Sequence, residues 1–247
     1  MQQANVLTGK AAIELNHVSY SDEGLDIIKD VSGSLPEGKI TTFVGPSGAG
    51  KTTIFRLLNG LISPTKGDIQ LFGENIQTIE PTTLRRTVGI ALQDATMLRG
   101  SVYKNLAMPK TLQNQELKKE EAEHLLTQVG LDASFLHRDV TDLSGGQRQK
   151  VSIARTLVNH PKVLLLDEIT SSLDRVSTSD IEHLIQHINK EFAVTIAWIT
   201  HNLDQALLIG DYTWVMMNGE LIESGSTDVL KNPVNPRIQE FVKGEWQ

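Results

Sequence analysis

The sequence predicts an α/β fold, with a parallel sheet core, an added antiparallel β layer and an inserted helical segment. Three observations carry this. VLLLDE (163–168) and VTIAWIT (194–200) are apolar runs without alternation, the pattern of strands buried on both faces, as parallel sheets require. ITTFVG (40–45) is an apolar, β-branched run that ends in a glycine-rich loop and is followed by TTIFRLLNGL at helical spacing, so strand, loop and helix succeed one another. IELNHVSY (13–20), IIKDVSGSL (27–35) and IQLFGENI (69–76) alternate as half-buried strands do, and together they predict the antiparallel layer.

From residue 103 to 141 the pattern is helical, with the charged stretch NQELKKEEAEHLLTQVG at its centre. Its Leu117, Leu125, Leu126 and Val129 face inward and its charges face water. YTWVMMNGELIESG (212–225) reads as a hairpin, because Asn218-Gly219 favours a tight primed turn. Trp214, Met216 and Met217 are therefore packing residues. Residues 232–236, with two prolines and two asparagines, punctuate the start of a short C-terminal tail.

At 247 residues the chain reads as one composite domain, and 39% hydrophobic with 21% charged residues supports a sizeable core. It has no cysteine, which excludes disulfides, thiolate metal sites and cysteine nucleophiles. The N-terminal MQQANVLTGKAAIEL lacks the apolar stretch of a secretion signal. The apolar runs are strand length, short of the roughly 20 residues needed to span a bilayer, so any membrane function is expected from another chain. A net charge of -7 argues against a general nucleic-acid binder, which gains affinity from phosphate contacts.

GPSGAGKT (45–52) fits the phosphate-loop pattern G-x-x-x-x-G-K-[ST] in the required setting between strand and helix. The candidate phosphate-binding residues are Gly45, Pro46, Ser47, Gly48, Ala49, Gly50, Lys51, Thr52 and the following Thr53. The glycines let backbone N–H groups converge on phosphate oxygens, and the helix offers its positive end. Lys51 is expected to bridge the β- and γ-phosphates, and Thr52 to supply its hydroxyl to Mg²⁺. Asp167 ends an apolar parallel strand beside that loop and is expected to hold Mg²⁺ through its water shell. Glu168 follows it where the strand ends, free to act on an attacking water as general base or orienting group.

A second glycine-rich loop, DLSGGQRQK (142–150), opens a helix with no lysine where a phosphate-binding loop would carry one. It completes a set of motifs: GPSGAGKTT, Gln93 in IALQDAT, LSGGQ (143–147), VLLLDE, SSLD (171–174) and WITH ending at His201. In this order they resemble the ATP-binding subunits of ABC transporters over nearly the whole chain. The resemblance implies a P-loop NTPase with a RecA-like parallel sheet core, an antiparallel β subdomain and an inserted α-helical signature subdomain at about 96–160. The cassette would run over 13–231, between tails 1–12 and 232–247.

The resemblance also implies two ATP molecules sandwiched head to tail between two copies of the chain, each phosphate loop closed by the partner's Ser144, Gly145, Gly146 and Gln147. Physically, a hydroxyl, backbone N–H groups and a helix dipole make an anion site without a cation. In the family's pattern Gln93 contacts Mg²⁺ or the attacking water, Asp174 of the SSLD loop is a nucleotide-binding candidate, and His201 contacts the γ-phosphate and orients the water. An aromatic usually stacks on adenine; Asp22 stands at that position, which leaves Tyr20 as the candidate. Ile169 replaces a common proline after the glutamate.

A cytoplasmic protein, peripheral on the inner face of the membrane and paired with an integral membrane permease subunit, is the expected setting. HRDVTD (137–142) is unlike the stretch before the signature in exporters, and no large regulatory domain follows the hairpin. The chain looks most like the compact subunits that energise phosphate import and a related group linked to metal export. Three rivals stand beside this. Soluble ABC ATPases that act on ribosomes usually carry two cassettes, and the DNA-repair type a long coiled coil between phosphate loop and signature, whereas this chain has one cassette and 49 residues between Gln93 and Leu143. A small P-loop kinase has no reason to carry LSGGQ, and a regulator that no longer hydrolyses would not need Glu168 and His201.

Overall fold

The computed structural model describes residues 10–244. Chain order is β1 (Ala11–Asp22), β2 (Leu25–Pro36), β3 (Ile40–Val44), α1 (Lys51–Leu58), β4 (Lys66–Leu71), β5 (Glu74–Asn75), α2 (Pro81–Thr87), β6 (Val88–Ala91), α3 (Val102–Thr111) and α4 (Lys119–Gln128). Then come α5 (Gly145–Leu157), β7 (Val163–Asp167), α6 (Arg175–Phe192), β8 (Thr195–Ile199), α7 (Leu203–Ile209), β9 (Tyr212–Met217), β10 (Glu220–Ser226) and α8 (Pro236–Val242).

Two sheets form. The antiparallel one has the order β2-β1-β4-β5, and the larger has the order β10-β9-β3-β8-β7-β6. Within the larger, β9, β3, β8, β7 and β6 are parallel to their neighbours and β10 returns antiparallel. Every residue of β3, β7 and β8 is buried, as their unbroken apolar sequences require.

Side chains along these strands alternate between two cores. Phe43, Leu165, Ala197, Ile199 and Trp214 face α1 and the antiparallel sheet, where Trp214 packs 5.0 Å from Phe43. Leu164, Leu166, Ile196 and Trp198 face α6 and the helical segment of α3, α4 and α5. The 18-residue α6 buries Ile181, Leu184, Ile185 and Ile188, the i, i+3, i+4, i+7 pattern of one helix face, so one stripe faces the sheet.

The expected antiparallel layer, parallel core, helical insertion and final hairpin are all present, and the Asn218-Gly219 turn has φ of 52° and 82°, as a primed turn needs. Three details differ from the sequence reading. The stretch 69–76 is a hairpin, not one strand, because Phe72 and Gly73 both take positive φ and reverse the chain between β4 and β5. In the charged stretch the helix begins at Lys119, and Leu117 is buried ahead of it, its carbonyl accepting a hydrogen bond from the Tyr103 hydroxyl. The expected C-terminal tail contains α8, whose Ile238 is fully buried against Val44, Val215 and Met217. The expected N-terminal tail lies outside the described residues as far as residue 9, and β1 starts at Ala11.

Leu165 sits at the middle of β7 with no exposed surface. Leu165→Ala should destabilise the chain by about 2–5 kcal/mol, the usual cost of a core leucine truncation, read as the fall in denaturant midpoint.

Candidate nucleotide site

The sheet order delivers the functional residues to one edge. β8 lies between β3 and β7, with Ile199 opposite both Phe43 and Asp167. The segments that leave β3, β8 and β7 at their carboxyl ends are therefore neighbours: the phosphate loop, His201 and the Asp167-Glu168 pair. Carboxyl ends of parallel strands are where α/β sheets place ligands. β6 pairs with β7 in a register that carries Gln93 to the same edge, since Ala91 is opposite Leu166.

The phosphate loop is built by close approach. A Cβ at Gly45, where φ is 144°, would fall 1.9 Å from the Met216 carbonyl oxygen. At Gly50, where φ is 94°, it would fall 2.6 Å from Ile28. Neither position admits another residue. Gly50 precedes α1, so the loop's N–H groups and the positive end of the helix face the same space.

Lys51 is 5% exposed, and its ammonium donates to the carbonyls of Gly45 at 2.8 Å and Pro46 at 2.9 Å. Burial lowers its pKa, and the negative charges of Glu168 and Asp167 act against that shift. Thr52 donates its hydroxyl to Asp167 Oδ1 at 3.2 Å. Asp167 is 8% exposed; burial raises its pKa, while the Thr52 hydrogen bond opposes the rise. Loop lysine, hydroxyl and carboxylate thus share one desolvated space in which charges interact strongly.

Glu168 leaves the strand with φ of 50°, in the left-handed region that costs a side-chain-bearing residue about 1–2 kcal/mol. Its N–H still bonds the Ile199 carbonyl at 3.2 Å, and its own carbonyl accepts from Ser171 N–H at 3.1 Å and Ser171 Oγ at 2.9 Å. These bonds turn the carboxylate away from the strand, and Nε2 of His201 meets its Oε1 at 2.6 Å. The pair lines a polar cleft of about 800 Å³ with Thr170, Asn202 and Gln205. Ile169, at the position of the family's usual proline, is 1% exposed and anchors the turn in the core.

The signature loop is elsewhere. Ser144 caps α5 in a reciprocal box: its Oγ accepts from Gln147 N–H at 3.2 Å and its N–H donates to Gln147 Oε1 at 3.0 Å. The S-x-x-Q spacing that signals such a box was legible in the sequence. Ser144, Gly146 and Gln147 line a separate cleft of about 270 Å³ with Asp132, Lys150 and Ser177. Among the described residues no hydrogen bond joins 143–148 to the phosphate loop. A Cβ at Gly146 would lie 2.9 Å from Ser177 Oγ, so the glycine lets α5 seat against the start of α6.

Asp174 caps α6, accepting from Val176 and Ser177 N–H at 3.0 Å each, and hydrogen bonds from Ser177 hold its pKa below the usual carboxylate range. Gln93 is exposed, in the segment after β6. Tyr20 is partly buried, paired across the sheet with Ile28 and packed against the core.

Two residues of this site carried no signal in sequence reading. Gln149 and Arg155, both on α5, donate to the carbonyls of Leu92 at 3.4 Å and Thr96 at 3.0 Å. The helix that starts at the signature therefore grips the segment containing Gln93. Only the meeting of α5 with that segment reveals the contact.

The family model described as ABC transporter matches residues 28–171. The chain is 40% identical over 229 residues to the putative ABC transporter ATP-binding protein YjkB of Bacillus subtilis (strain 168), covering 92% of this chain and 91% of that one. It is 35% identical to the phosphate import ATP-binding protein PstB 1 of Vibrio cholerae, over 98% of this chain and 93% of that one. Among solved structures, cbiO1 from Clostridium perfringens, part of the ABC transporter complex cbiONQ, superposes with a TM-score of 0.82 at 28% identity, covering 95% of this chain and 99% of that one. The ATP-binding cassette MJ0796, in a dimeric post-hydrolysis state bound to ADP and Pi, superposes with a TM-score of 0.76 at 25% identity, covering 87% of this chain and 98% of that one.

The buried Asp167 charge works against folding. Because the folded carboxyl holds its proton more tightly than the unfolded one, the cost is present at neutral pH and fades below the usual carboxylate range. Asp167→Asn should raise the melting temperature of the nucleotide-free protein at pH 7. The gain should vanish in acid, and a thermal melt at the two pH values reads both.

Proposed function

The chain belongs to the ABC transporter family, and on that premise we propose that it drives transport through a separate membrane protein by closing, as two copies, around two ATP molecules. It is an ATP-binding cassette and an ATPase. The observation that carries the reading is the Glu168–His201 pair at 2.6 Å, on the same sheet edge as buried Lys51, Thr52 and Asp167.

Each residue then has a task. The phosphate-loop N–H groups from Ser47 to Thr53 and the Lys51 ammonium hold the β- and γ-phosphates, with Lys51 exchanging its loop carbonyls for phosphate oxygens. Glu168 orients or deprotonates the attacking water. His201 Nε2 offers a donor beside the transferring phosphoryl group, where negative charge is spread in the transition state. Tyr20, opposite Ile28 whose side chain abuts Gly50, is the candidate for contact with adenine.

The donor set fits Mg²⁺. Thr52 Oγ1 and Asp167 Oδ1 are hard oxygen donors 3.2 Å apart, and Asp167 has no ion-pair partner within 4.0 Å among the described residues. No group of three or more His, Cys, Asp or Glu could cage a metal there, in keeping with an ion shared with phosphates and water. Thr52 and Asp167 would hold it, with Gln93, in the segment after β6, as a further candidate. Bound there, the ion neutralises charge on the β- and γ-phosphate oxygens.

The separation of the two clefts supports pairing. Gly145 and Gly146 begin α5, and their N–H groups have no partner among the described residues. Ser144 keeps its hydroxyl beside them. An anion from a second copy would complete this half-site, and a two-fold dimer completes both at once. The dimeric state of MJ0796 with ADP and Pi accords with such a sandwich.

No helix among the described residues is long and apolar enough to cross a membrane. A membrane permease is the proposed partner, with the chain on the inner face of the membrane. Leu92 and Leu98, 51% and 43% exposed around Gln93, offer that partner an apolar contact. The cargo we propose is phosphate or a metal ion, chosen by the membrane subunit, and similarity to PstB 1 supports the first. Co-purification from membranes, with the companion protein identified by mass spectrometry, tests this; a ribosome or DNA companion would overturn it.

Two variants test the chemistry. Glu168→Gln should keep ATP affinity, lose roughly 10²–10⁴-fold in turnover and accumulate as a nucleotide-loaded dimer by light scattering. Ser144→Arg should lower turnover by about a hundredfold or more while a single copy still binds ATP; normal turnover would refute closure by the partner's signature loop.

A further inference from the structure

Behind the Glu168–His201 pair, a buried amide joins the same two segments a second time. Gln205 is 3% exposed. It lies in the first turn of α7, where its N–H bonds the Asn202 cap at 3.2 Å. Its side chain reaches inward: Nε2 donates to Glu182 Oε1 at 2.7 Å and to Thr170 Oγ1 at 3.2 Å, and Oε1 is 3.4 Å from the same Thr170 hydroxyl. Both amide hydrogens and the amide oxygen are engaged.

The three partners belong to different parts of the site. Gln205 follows His201 by four residues, Thr170 follows Glu168 by two, and Glu182 is on α6, whose first turn abuts the signature glycine Gly146. The strands beneath are held by their own ladder, so the sheet does not need Gln205. The last rungs of that ladder are the N–H groups of Glu168 and Thr200, which bond the carbonyls of Ile199 and Phe43; beyond them 169–174 and 201–202 are outside it, and the reacting side chains stand at this boundary. Gln205 forms the wall of their cleft, alongside Glu168, His201 and Asp204.

We propose that Gln205 is a positioning residue for ATP hydrolysis. Its amide locks the His201 segment to the Glu168 segment at the spacing the hydrolytic pair needs, with Glu182 anchoring the lock on α6. A donor-acceptor match of this kind is directional: Glu182 is an acceptor, so position 205 must donate. A buried group left without its partner costs more than an apolar replacement would, and small misplacements of reacting groups reduce rate steeply. The proposal rests on Glu168 and His201 being the hydrolytic pair.

The test uses the full chain, with Mg·ATP turnover, binding of a fluorescent ATP analogue and thermal melting measured on each variant. Gln205→Glu sets two acceptors against each other and should lower kcat by roughly tenfold or more while KM and analogue binding stay within about twofold. Combining it with Glu182→Gln exchanges donor and acceptor, and should restore kcat to within about threefold of the parent. Gln205→Met keeps the bulk without the hydrogen bonds, and covers the case in which the glutamate variant does not fold. It too should lose kcat and keep analogue binding.

Wild-type kcat in folded Gln205→Met or Gln205→Glu overturns the proposal, as does a folded double variant that stays as slow as Gln205→Glu. Glu168→Gln run in parallel separates the two failures. If it is inactive while the Gln205 variants turn over normally, the positioning role alone falls. If it hydrolyses ATP normally, the assignment of the pair falls with it.

Discussion

Parallel pairing of β8 between β3 and β7 is the constraint on which the site depends. These strands are buried on both faces, so their register is set by two cores at once and a one-residue slip would exchange the cores. With Ile199 held opposite Phe43 and Asp167, the segments beyond the strand ends have little choice of neighbour. The phosphate loop, Glu168 and His201 come together because the chain must bury Leu165, Ala197 and Trp198.

That edge gathers charge in a place poor in water. Lys51 and Asp167 are both nearly buried, and each is shifted toward its neutral form by desolvation. They offset one another only in part. Without nucleotide, Lys51 rests on loop carbonyls and Asp167 on the Thr52 hydroxyl. Phosphate oxygens beside Lys51 supply a counter-charge of the kind that a buried ammonium lacks, and this favours nucleotide at that edge.

The segment 168–174 links this chemistry to the dimer surface. It begins at Glu168, held in a left-handed conformation, is anchored at buried Ile169, and ends at Asp174, which caps α6. Leu173 and Ser177 touch the signature glycines, while Thr170 bonds Gln205 on the opposite side. Any contact made at Gly145 and Gly146 therefore bears on the segment that holds Glu168. The helix running from that signature also grips the backbone around Gln93 through Gln149 and Arg155, extending the same connection toward the exposed leucines beside it.

The sequence alone determined the elements and the chemistry whose signals are local. Apolar runs without alternation signalled buried strands, and a glycine-rich loop ending in Lys51-Thr52 between strand and helix matched the phosphate-loop pattern. Asn218-Gly219 required a hairpin, and Ser144 with Gln147 required a helix start. Local signals also misled where one residue's φ outweighed a pattern, as at Phe72, and where a short amphipathic turn found an apolar surface, as α8 did. Tertiary structure decided the rest. That Gln205 meets Glu182 and Thr170, that Arg155 reaches Thr96, and that the signature cleft is separate from the phosphate loop all depend on the relative placement of elements far apart in the chain. Such placement is set by how two cores fill against one sheet, and no window of sequence contains it.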